Sequence, residues 1–199
     1  REDRRHIQDK DAIEIRECAK ILNFEMAHTP EMIDFALKLK PNFCCIVPEK
    51  RDEKTTEGGL SLPSTNTREF KNFSDNIKKL SNEGIKVSLF IDPSIESVQL
   101  SKELGADIVE LHTGHYANEF NTIKEFDMID DIVSSAEFAD KLGMLVNAGH
   151  GLNYENLKQI CKIPSLNELN IGHSIISQAV FTGLKDAIEK IISIINNSD

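Results

Sequence analysis

No apolar run in this chain approaches the roughly 18 residues that a membrane-spanning helix needs, and no signal-peptide pattern opens it. Basic residues are in short supply: 23 Lys and Arg stand against 33 Asp and Glu, a formal net charge of −10. A nucleic-acid-binding protein would carry a basic face, so the balance argues against that class. Small anionic ligands are compatible with it, because a few local groups suffice to hold them. The four cysteines, Cys18, Cys44, Cys45 and Cys161, form no C-x-x-C pair, which weakens any zinc or dithiol redox reading. Cys44 and Cys45 sit together in the apolar run Phe43–Val47 and point to opposite faces if that run is a strand. They read as buried thiols of a cytoplasmic protein. What is present is 199 residues, 40% hydrophobic and 28% charged, enough for one globular domain with a full core.

Short β-rich runs alternate with helical patterns. The candidate strands are Leu22–Ala27, Phe43–Glu49, Lys86–Asp92, Ile108–Thr113, Leu145–Ala148 and Glu168–Ile171. Each is nearly continuously apolar, as strands covered on both faces should be. Thr29-Pro30-Glu31 starts a helix with a capping hydroxyl and a proline in its first turn, and Met32, Ile33, Ala36 and Leu37 continue at helical spacing. Phe70, Phe73, Ile77 and Leu80 form a second stripe closed by Gly84, and Asp92-Pro93 opens a third that stops at Gly105. A fourth runs from Phe126 to Ala139 and ends at Gly143. The last 25 or so residues read as helix broken near Thr182-Gly183.

Such alternation makes βαβ units and a parallel sheet, either open and doubly wound or closed into a barrel. Polar residues fall at the carboxyl ends of nearly every strand rather than at one switch point, which favours the α/β class of (β/α)8 TIM barrels. Six strands are too few for that barrel, which typically takes about 250 residues. The opening Arg1-Glu2-Asp3-Arg4-Arg5-His6 reads as a loop following a strand. The expectation is a single barrel domain over 1–199, with the first strand, the first helix and most of the second strand outside this sequence.

The residues that could carry chemistry sit at those strand ends. Glu25 is a carboxylate amid an apolar strand, where burial would raise its pKa and suit it to proton transfer; a core glutamate paired with an arginine is the plainer alternative. Pro48-Glu49-Lys50-Arg51 leads into Thr55-Thr56-Glu57-Gly58-Gly59, a polar loop that could hold a phosphate or equally be a turn. Glu110 and His112 share one strand face, which is unusual for packing alone. His112 and His115 could ligate a metal, but their spacing across a glycine turn disfavours it, and no metal or cofactor is expected. His150 lies between Gly149 and Gly151, leaving room for a ligand beside its ring, although a capping histidine would look the same. Gly172-His173-Ser174 precedes a helix whose N–H groups could cradle an anion, or is a serine-capped helix start. Arg1, Arg4, Arg5 and His6 add positive charge, as ligand contacts or as a solvated salt-bridge cluster.

Taken in order, R-E-D-R-R-H at Arg1–His6, N-F-E-M-A around Glu25, F-C-C-I-V-P-E-K-R with T-T-E-G-G-L, V-S-L-F-I-D ending at Asp92, E-L-H-T-G from Glu110, V-N-A-G-H-G-L around His150 and E-L-N-I-G-H from Glu168 resemble the pyridoxine 5′-phosphate synthase family almost end to end. The resemblance implies an eight-stranded barrel with extra helices, assembled as an octamer built from dimers and needing no cofactor. It implies condensation of two phosphorylated small molecules, 3-amino-2-oxopropyl phosphate and 1-deoxy-D-xylulose 5-phosphate, to pyridoxine 5′-phosphate with release of phosphate and water. Glu25 then matches a catalytic base, His150 a catalytic acid and Glu110 a transition-state stabiliser. Arg1, His6 and Thr55 match contacts to the sugar phosphate; Gly151, Gly172 and His173 match contacts to the aminoketone phosphate. The family's N-x-D-H strand and the histidine two residues before the arginine matching Arg1 are not in this sequence.

Two rivals stand beside that reading. Another phosphosugar isomerase or aldolase barrel would often use a Schiff-base lysine, and no strand end offers an isolated inward one. A non-catalytic phosphate-binding barrel would have no need to keep Glu25, Glu110 and His150 together.

Overall fold

The computed structural model describes residue 4 and residues 6–48 and 58–197. Six strands are seen there: β1 (Asn23–Ala27), β2 (Phe43–Val47), β3 (Lys86–Ile91), β4 (Ile108–His112), β5 (Leu145–Gly149) and β6 (Leu166–Asn170). They run in the order β1-β2-β3-β4-β5-β6, so each strand neighbours the next one in the chain. The registers are parallel, with Asn23 opposite Phe43, Phe43 opposite Lys86 and Asn147 opposite Glu168. Parallel neighbours require crossovers, and helices supply them. This is the α/β class expected from the alternation of runs.

The helices are α1 (Asp9–Cys18), α2 (Pro30–Leu39), α3 (Arg68–Asn82), α4 (Ile95–Leu104), α5 (Gly114–Glu119), α6 (Glu125–Lys141), α7 (Leu157–Cys161), α8 (His173–Thr182) and α9 (Leu184–Asn196). Local chemistry sets their ends. The Thr29 hydroxyl accepts from the Met32 N–H at 3.2 Å with Pro30 as the first helical residue, and Thr67 caps α3 through the Phe70 N–H at 3.0 Å. Gly183, at φ 82°, breaks α8 from α9 where the sequence predicts a break. The second strand stops at Val47, short of the predicted Glu49. Pro48 has no N–H to give the ladder, and Glu49 lies outside the described residues.

The chain packs as two compact units, Arg1–Asp92 with Glu96–Glu110, and Pro93–Ile95 with Leu111–Asp199. In the first, α3 buries Phe73, Ile77 and Leu80, and β2 and β3 bury Cys44, Cys45, Ile46, Val87 and Leu89. In the second, Val146 and Ala148 of β5 are buried with Leu152, Leu157, Ile160 and Ile191. Burial falls off at the two ends of the strand order. Every residue of β4 is buried, whereas Asn23 and Glu25 in β1, and Asn167 and Glu168 in β6, are exposed. The expectation of continuously covered strands therefore holds for the inner strands and fails for the outermost two, which have a neighbour on one side only. Among the described residues no helix is long and apolar enough to cross a membrane.

Candidate active site

In the first unit a thiol sits at the centre of an acidic cluster. The parallel ladder sets Glu25 opposite Cys45 and Cys45 opposite Ser88, so the three lie across neighbouring strands on one face. The Cys45 Sγ donates to Oε2 of Glu110 at 3.4 Å, and Glu110, at the end of this unit, is 5% exposed. Burial, and then the negative charge of Glu110 and Glu25, push the Cys45 thiol well above its ordinary pKa. It stays an S–H and remains a donor to the carboxylate. Sequence reasoning treated Cys45 only as a buried thiol; its register with Glu25 is visible once the strands are paired.

Glu25 itself departs from expectation. It is exposed rather than buried. Phe24 turns the other way, packing its ring 5.7 Å from that of Phe35 on α2, and Met26 is fully buried. The alternation of the strand sends Glu25 to the opposite face, on an outermost strand where water reaches the carboxylate.

Gly59 and Leu60 are fastened to the end of β3. Gly59 N–H donates to Oδ1 of Asp92 at 2.9 Å, and Leu60 N–H to the Phe90 carbonyl at 2.8 Å. A Cβ on Gly59 would lie 2.1 Å from the Asp92 nitrogen, so only glycine fits against that strand end. Thr55 and Arg1 lie outside the described residues. His6 is exposed just ahead of α1. Arg4 takes the salt-bridge reading, with Nε 2.6 Å from Asp9 and an Nη 3.1 Å from Glu31.

The second unit gathers imidazoles. His112 is buried at the end of β4, and His150 is half-buried just beyond β5. Their ring centroids are 5.0 Å apart, and exposed His115 lies edge-on to His112 at 5.5 Å. His112 and His115 could each offer a metal one ring nitrogen. Gly114 is what lets the rings converge, since a Cβ there would fall 2.5 Å from His112 Nε2 and 3.0 Å from His150 Cδ2. Burial holds the His150 imidazole below its ordinary pKa.

The turn carrying His150 is tightly bound. His150 has φ 81° and Gly151 has φ 77°. Thr113 donates through its hydroxyl to the carbonyls of Gly149 at 2.7 Å and His150 at 2.6 Å, while Asn156 Nδ2 donates to the Gly151 carbonyl at 3.1 Å. Asn156 is itself held, its carbonyl accepting from the Tyr116 hydroxyl at 2.6 Å. That phenol is pushed up to about 12 by burial and then by the charge of Glu125. Leu152, next along, accepts at its carbonyl from the Ser174 hydroxyl at 2.8 Å, which ties the start of α8 to this turn. Gly172 caps α8, accepting from the Ile176 N–H at 3.0 Å, and exposed His173 is its first residue. The space where a Cβ of Gly172 would stand is open, with nothing within 4 Å.

Glu25 and Glu110 thus meet around Cys45 in one unit, and His150, Gly151, Gly172 and His173 are linked through the 150–152 turn in the other. Thr113 and Asn156 were not singled out from sequence, because a threonine after a strand and an asparagine in a loop carry no pattern of their own.

The family model described as "Pyridoxal phosphate biosynthesis protein PdxJ" matches residues 1–197. A pyridoxine 5′-phosphate synthase of Prochlorococcus marinus (strain MIT 9312) is 48% identical over 199 residues, covering 100% of this chain and 82% of that protein. A protein of the same name from Akkermansia muciniphila is 47% identical over 192 residues, 96% of this chain and 76% of the relative. Another from Geobacter sulfurreducens is 45% identical over 196 residues, 98% and 80%. A solved structure described as "Native KDPGal structure" superposes with a TM-score of 0.61 at 12% identity, over 94% of this chain and 78% of that one. At that identity the likeness is one of fold alone.

Proposed function

The chain belongs to the pyridoxal phosphate biosynthesis protein PdxJ family, and from that premise we propose that it condenses 3-amino-2-oxopropyl phosphate with 1-deoxy-D-xylulose 5-phosphate to give pyridoxine 5′-phosphate, phosphate and water. The observation that carries the reading is the 48% identity to a pyridoxine 5′-phosphate synthase across the whole of this chain. We assign Glu25 as base, Glu110 as stabiliser of the transition state and His150 as acid. Arg1, His6 and Thr55 hold the sugar phosphate in this assignment, and Gly151, Gly172 and His173 the aminoketone phosphate. The protein is taken to be a cytoplasmic homo-oligomer, an octamer by resemblance.

The residue types suit the steps. Imine formation needs a base to take a proton from the amine and an acid to help the carbonyl oxygen leave as water. Loss of phosphate from the sugar and ring closure each move further protons. Glu25, open to water, is reachable by an amine. A His150 that starts neutral can take up a proton that the substrates shed in an earlier step and then give it to a departing oxygen, as a stronger acid than an ordinary imidazolium. Two phosphate sites hold the reactants in register. The scheme needs no metal and no organic cofactor.

The test is release of inorganic phosphate by the intact protein. It should occur only when both substrates are present, and His150→Asn should cut turnover by roughly 100-fold or more while both substrates still bind. Binding of both without product would instead mark a phosphate-ligand receptor. Unchanged turnover would remove His150 from the mechanism.

A further inference from the structure

His150 occupies a backbone conformation that residues with a side chain seldom adopt, φ 81°, and Gly151 follows it at φ 77°. Two successive left-handed residues turn the chain sharply after β5 and aim the imidazole toward His112. Such a conformation persists only where its surroundings over-determine it. Here the restraint comes largely from one side chain. The Thr113 hydroxyl lies 2.7 Å from the Gly149 carbonyl and 2.6 Å from the His150 carbonyl, and the Thr113 N–H donates to Gly149 at 2.8 Å. Thr113 is fully buried, so water does not compete for its hydroxyl. Its single hydroxyl hydrogen is shared between the two carbonyls that flank the left-handed residue, which holds both ends of that residue to one side chain.

We propose that Thr113 is a positioning residue for His150, its hydroxyl locking the strained turn so that the imidazole is presented in one orientation. The inference rests on the catalytic assignment of His150 above. Thr113 touches no reacting atom in this scheme; it acts through the backbone of its neighbour. The methyl group of threonine is incidental and the hydroxyl is essential.

Thr113→Val keeps the shape and removes the donor, and Thr113→Ser keeps the donor. Turnover of Thr113→Val should fall about 10- to 100-fold with KM for both substrates little changed, and Thr113→Ser should retain turnover within about threefold. A purely structural role would not predict the decisive result, which is a double-mutant cycle. In a His150→Asn background, Thr113→Val should cost almost nothing further, since the group it positions is gone. A full-sized penalty in that background, or a serine variant as impaired as the valine, overturns the proposal while leaving His150 catalytic. Should His150→Asn alone leave turnover intact, the fault lies with the catalytic assignment instead. If the valine variant does not fold, Thr113→Ala is carried through the same cycle.

Discussion

Cys45 and Glu110 form a donor–acceptor pair that works only while the thiol keeps its proton. Burial and two nearby carboxylates ensure this, and burial alone pushes the adjacent Cys44 up to about 12. Because the thiolate is the nucleophile, both should resist alkylation. Native protein treated with iodoacetamide at pH 8 should be labelled first at exposed Cys18, with Cys44 and Cys45 modified only after denaturation. Peptide mass spectrometry reads this directly, and rapid labelling of Cys45 would show that face of β2 to be open. His150 supplies a second residue-scale expectation. Its imidazole titrates below the ordinary 6.5, and the proposed cycle begins with it neutral. The kcat/KM profile should therefore lose activity on acidification along a limb with a midpoint below pH 6.5. A limb above 6.5 would mean a different titrating group.

At the scale of elements, α3 meets the end of β1 through His28. The His28 ring stacks on Phe73 with centroids 3.8 Å apart, and its Nε2 lies 3.2 Å from Nδ2 of Asn76. Lys79 Nζ donates to Oδ1 of the same Asn76, which leaves the amide nitrogen to face the imidazole. Nε2 is then the acceptor and the ring is neutral, in keeping with the lowering of its pKa by burial. The unfolded chain binds a proton here at a pH where the folded chain does not. This contribution to stability is complete above about 6.5 and is lost as pH falls toward the lower folded value. His28→Gln should accordingly shrink the drop in Tm between pH 7.5 and 5.5, measured by circular dichroism; an unchanged drop would place the titrating group elsewhere. Elements with stripes and caps, such as α2 and α3, were legible from sequence. Helix α1 was not, because only Ala12 of its ten residues is buried and no stripe forms. The six residues of α5, starting at Gly114, and the five of α7 are too short to show a period.

For the whole molecule, the alternation of runs was enough to read a parallel α/β fold, since strand and helix periods differ so plainly. The location of candidate site residues at strand ends was equally legible, because polar groups interrupt apolar runs there. Their environments were not. Glu25 and Glu110 look alike in sequence, as single carboxylates in apolar strands, yet one is exposed and the other buried. The difference comes from position in the strand order, β1 outermost and β4 internal, which no local pattern encodes.

That same order bears on how the polypeptide is made. Each strand finds its partner in the next one to be synthesised: Phe43 closes on Asn23, Lys86 on Phe43, and Leu166 on Val146. Among the described strands each pairing joins consecutive elements, so this pairing can follow emergence from the ribosome unit by unit. The lowest-risk point to pause translation is then after a completed helix, when the newest strand is already covered. A pause between a strand and its crossover helix would leave an apolar face bare.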